Sequence, residues 1–363
     1  MKNIFAIIFI SLITLSLFIT DVPTVYADDG DVPSLSAQAA VLYEASSGKL
    51  LFEKNANMRL PMASTTKIMT ALAVLSALSP EDTVSFPVCA VGTEGSSAYL
   101  KAGEVLSVRD MLYALLLQSA NDVAVALAIL SDGSEEAFAR RMNALAEEYG
   151  CKDTHFENPH GLHSENHYTT AYDLALIAQK LLENELLREI VKTKVHTADT
   201  SLQRRTFVNH NKLLSYEKDA IGIKTGFTKN SGRCLVGAAE KDGMLLISVT
   251  LNAPNDWNDH RQMWSYACSK YEYRCILEPS GYYYNVSLIG SLLPFVTVTN
   301  KDGARFLCKK DEAEIKMHPE LLPLQLAPIQ KGDCLGRLVF TQNGKEIYSL
   351  PLCATQDITR SKI

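Results

Sequence analysis

The stretch Pro61-Met62-Ala63-Ser64-Thr65-Thr66-Lys67-Ile68-Met69-Thr70 runs on through Ala71-Leu72-Ala73-Val74-Leu75 and is closed by Ser79-Pro80. Ile68, Met69, Ala71, Leu72, Ala73, Val74, Leu75 and Leu78 are apolar nearly all round, so the pattern predicts a buried helix from about Ser64 to Leu78. Ser64 and Lys67 then stand at i and i+3, on one face and within contact. A serine hydroxyl becomes a nucleophile once a base removes its proton. A lysine can be that base if burial or a second cation lowers its pKa, and the positive end of the helix favours negative charge there. Ser46/Lys49 and Ser215/Lys218 share the spacing, but Ser46 lies in a turn and Ser215 precedes the polar Glu217-Lys218-Asp219. The plainer alternative makes Ser64 a helix N-cap and Lys67 a solvated lysine. An all-apolar helix leaves that lysine little solvated face.

Upstream, Ala39-Ala40-Val41-Leu42-Tyr43 and Lys49-Leu50-Leu51-Phe52 flank Glu44–Gly48 as a β-hairpin. Downstream, helices are expected near 107–118, 120–130, 135–149 and from Tyr172 to about Ile190, with the loop Asn158–His163 between the last two. Strands follow at Cys234–Ala239 and Met244–Leu251, then an aromatic-rich helix from Trp257 to about Tyr271. Beyond Pro279-Ser280-Gly281, short strands between turns mark a small all-β domain.

The chain has 363 residues, 47% apolar and 21% charged, with 19 Gly and 13 Pro, which excludes disorder, collagen-like repeats and a polytopic membrane protein. A net charge of −6 provides no basic field for nucleic acid. Lys2, the uncharged run Ile4–Thr20 and Val25-Tyr26-Ala27 read as an export signal cleaved after Ala27; an uncleaved anchor is the alternative. The protein is therefore expected to work outside the cytoplasm. Its eight cysteines (89, 151, 234, 268, 275, 308, 334 and 353) are scattered, include no C-x-x-C pair and read mostly as buried free thiols; the pairing is open.

Two further elements join Ser64 and Lys67. Ser119-Ala120-Asn121 offers a second hydroxyl and an amide where two helices meet, and Lys224-Thr225-Gly226 opens a strand region. A cation, a hydroxyl and a residue without a side chain along a strand edge can grip a carboxylate. Backbone N–H groups there can complete an oxyanion hole. With Leu100-Lys101-Ala102-Gly103-Glu104 and Asn158-Pro159-His160-Gly161-Leu162, this ordered set resembles the low-molecular-mass penicillin-binding proteins, serine-type D-alanyl-D-alanine carboxypeptidases. The resemblance covers about 39–275, and more loosely the family's C-terminal β domain over 280–353.

The resemblance implies an α/β (α+β) penicillin-binding, serine β-lactamase-like domain at 34–275, after a signal peptide at 1–27, followed by a small all-β domain at 280–355. It implies Ser64 as acylated nucleophile, Lys67 as proton acceptor and Ser119 as proton relay. Asn121 would hold the substrate amide, Lys224, Thr225 and Gly226 would line the carboxylate site, and the amides of Ser64 and Phe227 would form the oxyanion hole. Lys224 near Lys67 is a reason for a lowered amine pKa. The implied partners are a peptidoglycan stem peptide and β-lactam inhibitors, with no cofactor and no metal. Rival readings are a DD-endopeptidase or transpeptidase, a β-lactamase and a non-catalytic penicillin-type sensor.

Several features fall outside this set. Arg261, the nearest counterpart of a carboxylate-binding arginine in some relatives, reads as an exposed helix residue. Glu183-Asn184-Glu185-Leu186-Leu187, faintly like the β-lactamase segment that carries the deacylating glutamate, reads as a solvated helix end. His155, His160, His163 and His167 run through a Pro/Gly loop rather than one helix face, which favours loop packing over zinc. The ten residues after Cys353 carry too little apolar stripe for a strong C-terminal anchor.

Overall fold

The computed structural model describes residues 32–361, so the expected cleavage segment up to Ala27 lies outside the described residues. The chain forms β1 (Ala39–Glu44), β2 (Lys49–Lys54), a 3-10 turn at Ala63–Thr66, and α1 (Lys67–Leu75). There follow β3 (Thr83–Ser85), β4 (Val105–Ser107), α2 (Val108–Leu117), α3 (Asn121–Asp132), α4 (Glu135–Glu148), α5 (Ala171–Glu183) and α6 (Glu185–Lys192). Next come β5 (Val195–Asp199), β6 (Arg204–Val208), α7 (Leu213–Tyr216), β7 (Ala220–Thr228), β8 (Gly232–Lys241), β9 (Met244–Leu251) and α8 (Asp256–Lys270).

Five of these strands form an antiparallel sheet in the order β2-β1-β9-β8-β7. Successive side chains on a strand point to opposite faces. Ala39, Val41, Val236, Ala238, Ile247 and Val249 therefore enter the core shared with α1–α6, while Ala40, Leu42, Leu235 and Leu246 meet Met263, Trp264 and Ala267 of α8. Burial on both faces explains why these strands read as unbroken apolar runs. In the α8 layer, His260 bonds Ser248 Oγ through Nδ1 (2.7 Å) and Thr250 Oγ1 through Nε2 (3.0 Å). Burial pushes its pKa down to about 3, so a neutral ring pins α8 to the sheet.

The C-terminal unit contains β10 (Tyr271–Leu277), β11 (Tyr283–Ile289), β12 (Phe295–Asn300), β13 (Ala304–Lys309), β14 (Lys316–Leu321), β15 (Leu324–Leu326), β16 (Cys334–Gln342) and β17 (Lys345–Ala354). Six strands order as β14-β16-β17-β12-β11-β15 over a core including Val286, Val298, Phe340 and Leu352. β10 pairs with β13 and crosses the expected 275–280 junction: Tyr271 and Tyr273 pack on the α8 core, whereas Leu277 enters the C-terminal core. Tyr273 OH donates to Glu44 (2.8 Å), and Lys49 Nζ donates to the Leu307 carbonyl (2.8 Å), tying the C-terminal unit to the first hairpin. Ile358 is buried there. Among the described residues no helix is long and apolar enough to cross a membrane.

Four expectations change. The helix expected across 172–190 breaks at Asn184, whose Oδ1 caps α6 by accepting from Leu187 N (3.1 Å). The β5–β6 hairpin is polar and unanticipated; buried Glu104 holds it through Arg205 (2.6 and 2.8 Å) and Thr200 (2.6 Å). Burial opposes ionisation of Glu104, but the bonds to Arg205 and Thr200 win and hold its pKa at about 2. The reading of the cysteines as buried fails for Cys89, Cys275 and Cys334, which are exposed. The fourth concerns Ser64.

Candidate active site

The helix expected from about Ser64 begins only at Lys67, and Ser64 is not its cap. Ser64 sits in the 3-10 turn before α1, whose own N-cap position, Thr66, makes no side-chain cap bond. Ala63 adopts a left-handed φ of 47°, and Thr65 Oγ1 and Thr66 Oγ1 donate to the carbonyls of Met62 (2.6 Å) and Ala63 (2.8 Å). These bonds fold the turn so that Ser64 Oγ faces Lys67.

Lys67 is fully buried, contrary to the solvated alternative. Its Nζ has three partners: Ser64 Oγ (3.0 Å), Asn121 Oδ1 (2.6 Å) and the His160 carbonyl (2.7 Å). A neutral amine has two N–H groups and one lone pair. The two carbonyl oxygens can only accept, so they take the N–H groups and the lone pair is left for the Ser64 hydroxyl. Burial drives the Lys67 pKa well below its ordinary value, and the positive charge of Lys224 lowers it further, against an opposing pull from Asp122. The like charge anticipated from sequence is real but ranks second to burial. Lys224 is itself buried, and desolvation brings its pKa to about 7.

Asn121 is committed to this network. Oδ1 accepts from Lys67, and Nδ2 donates to the Glu94 carbonyl (2.6 Å), leaving one Nδ2 hydrogen for a substrate. Ser119 lies buried between α2 and α3, at φ 62°. Few non-glycine residues adopt that backbone.

Lys224, Thr225, Gly226 and Phe227 lie on β7, the outer strand of the sheet. A Cβ on Gly226 would stand 3.1 Å from Met62 O, Ser64 N and Thr65 N, so glycine lets the strand pass directly against the serine turn. Thr225 is half-buried, and the Phe227 side chain is exposed.

Sequence reasoning missed two backbone carbonyls of the site. The His160 carbonyl on Lys67 and the Glu94 carbonyl on Asn121 leave no side-chain signature. The histidine-rich loop packs against the serine turn. His167 Nδ1 accepts from the Glu157 amide (3.1 Å), which puts the ring proton on Nε2 and directs it to Thr66 Oγ1 (2.8 Å). Burial pushes the His167 pKa down to about 3, so the ring stays neutral while bracing the serine turn. His155 Nδ1 meets the Asn166 carbonyl (2.6 Å), and His160 Nδ1 accepts from Leu162 N (3.1 Å). Glu183 pairs with Lys180 (2.8 Å) at an exposed helix end, and exposed Arg261 bonds Glu217 (2.6 Å).

The profile of the D-alanyl-D-alanine carboxypeptidase family matches residues 27–255. The chain belongs to that family. A second profile, the C-terminal domain of penicillin-binding protein 5, matches residues 296–360 of this serine-type carboxypeptidase. The carboxypeptidase is 35% identical to the D-alanyl-D-alanine carboxypeptidase DacF of Bacillus subtilis over 340 residues, 90% of this chain and 86% of that protein. Penicillin-binding protein 5 of Haemophilus influenzae superposes with a TM-score of 0.71 at 27% identity, covering 91% of this chain and 99% of the other. The Streptomyces K15 DD-transpeptidase superposes with a TM-score of 0.63 at 33% identity, covering 66% of this chain and 99% of its own.

Proposed function

We propose that this carboxypeptidase removes the terminal D-alanine from peptidoglycan stem pentapeptides through an acyl-enzyme on Ser64. The observation that carries the reading is Lys67 Nζ 3.0 Å from Ser64 Oγ, with the carbonyl oxygens of Asn121 and His160 beside it to take the two N–H groups of the neutral amine. Lys67 takes the hydroxyl proton as Ser64 Oγ attacks the carbonyl of the penultimate D-alanine. The oxyanion is met by the amides of Ser64 and Phe227. The proton passes through Ser119 to the departing nitrogen, the C–N bond breaks, and D-alanine leaves. Water then attacks the ester, returning the proton to Ser64 and releasing the shortened peptide. Lys224 and Thr225 hold the terminal carboxylate, with Gly226 giving the extended substrate room.

In this reading β-lactams acylate the same serine. The chain is exported after cleavage at Ala27, residues 34–275 do the chemistry, and 280–355 form the β domain. The test is incubation of the full chain with a stem pentapeptide. The expected products are tetrapeptide and one equivalent of free D-alanine. Unchanged pentapeptide, or D-alanine released only when an acceptor amine is supplied, would overturn the carboxypeptidase assignment.

A further inference from the structure

The C-terminal unit carries a facing pair of cysteines outside the serine site. The β16–β17 register sets Cys334 directly opposite Cys353, and the two sulfurs stand 3.1 Å apart. Among the described residues, no other pair of cysteine sulfurs is in hydrogen-bond contact; Cys275, for example, bonds Glu278 instead (3.0 Å). Residues directly opposite in an antiparallel pair have Cα atoms about 4.5–5.5 Å apart, within the span a disulfide bridges. The ladder is also irregular between Cys334 and Gly336, which gives the pair local freedom to adjust.

We propose that Cys334 and Cys353 form a disulfide that staples β16 to β17, made by exchange with an incoming small-molecule or protein disulfide. The thiolate of exposed Cys334 attacks one sulfur of the donor, breaking the donor S–S bond and expelling one thiolate. Cys353 then attacks the Cys334 sulfur of the mixed disulfide and expels the second donor thiolate. Two protein thiols are oxidised, one donor disulfide is reduced to two thiols, and the two protons pass through solvent to the expelled thiolates. β16 and β17 are inner strands of the six-stranded sheet, so the bond closes a loop through its middle. Such a bond restricts the unfolded chain. The inference is independent of the carboxypeptidase reading and depends on no residue of that site.

The test uses the full-length reduced chain, oxidised glutathione as donor, alkylation of the remaining thiols, and digestion without reductant. The expected result is a cross-linked peptide pair joining Cys334 to Cys353, two hydrogens lighter than the separate peptides and absent after reduction. The Cys353→Ser variant should stop at the intermediate and hold glutathione on Cys334. Wild-type protein in which both residues are alkylated, or in which each carries its own glutathione, would overturn the proposal.

Discussion

Ser64→Ala and Lys67→Arg should each lower kcat for D-alanine release by about a thousandfold or more, because nucleophile and base act as one unit. Arginine is the informative replacement for the lysine. It stays protonated at every working pH, so it tests whether the site needs a neutral amine that can accept the serine proton. The double variant should be scarcely slower than either single one, and substantial activity in Lys67→Arg would contradict the assignment of Lys67 as base. The pH profile carries the same information. Lys67 works as the neutral amine, so the acylation rate should rise with pH through its folded pKa and fall as acid protonates it. Lys224 contributes to the lowering of that pKa. Lys224→Ala should therefore move the acid limb of the profile to higher pH, besides weakening the grip on the carboxylate.

Gly161→Ala should inactivate the enzyme by geometry alone. The new methyl would stand 1.9 Å from the Ala63 carbonyl oxygen, 2.4 Å from its carbon and 2.9 Å from Thr66 Oγ1, at a φ of +90° that suits only glycine. The serine turn or the loop must then move. Either shift breaks the contact between Lys67 Nζ and the carbonyl of neighbouring His160. A displacement of ~1 Å in a catalytic array costs on the order of 100-fold in rate. Gly133→Ala is the control: it shares a positive φ, +81°, but has nothing within 4 Å of the added methyl. It should lose about 1–2 kcal/mol of stability, the cost of a left-handed backbone for an L-residue, and keep its rate. Equal rates for the two variants would show that the contact between Gly161 and the serine turn is not what orders the site.

What could be read from the chain follows the physics of side chains. Buried strands and helices announce themselves as apolar runs, and Ser64, Lys67 and Asn121, which the structure joins in one hydrogen-bonded network, announce themselves by type and spacing. The backbone does not. The left-handed Ala63 in the turn before α1, the carbonyls of His160 and Glu94, and the fit of Gly161 against Ala63 arise only when distant segments meet. The histidine loop looked like a metal decoy because its imidazoles are conspicuous, whereas its contribution is a carbonyl and one neutral ring. The break at Asn184 hid because Leu181, Leu182, Leu186, Leu187 and Ile190 keep the apolar repeat running across it. The β5–β6 hairpin has no apolar alternation and depends on Arg205 reaching Glu104. Cys334 and Cys353 become neighbours only through strand register.

The central claim is that a buried, neutral Lys67 makes Ser64 the acylated residue. Its most direct test is peptide mapping by mass spectrometry after brief exposure of the full chain to penicillin. The account predicts one penicilloyl group, on the peptide containing Ser64, absent in Ser64→Ala and strongly reduced in Lys67→Arg. An adduct on another residue, or a wild-type chain with no adduct on Ser64, would contradict it.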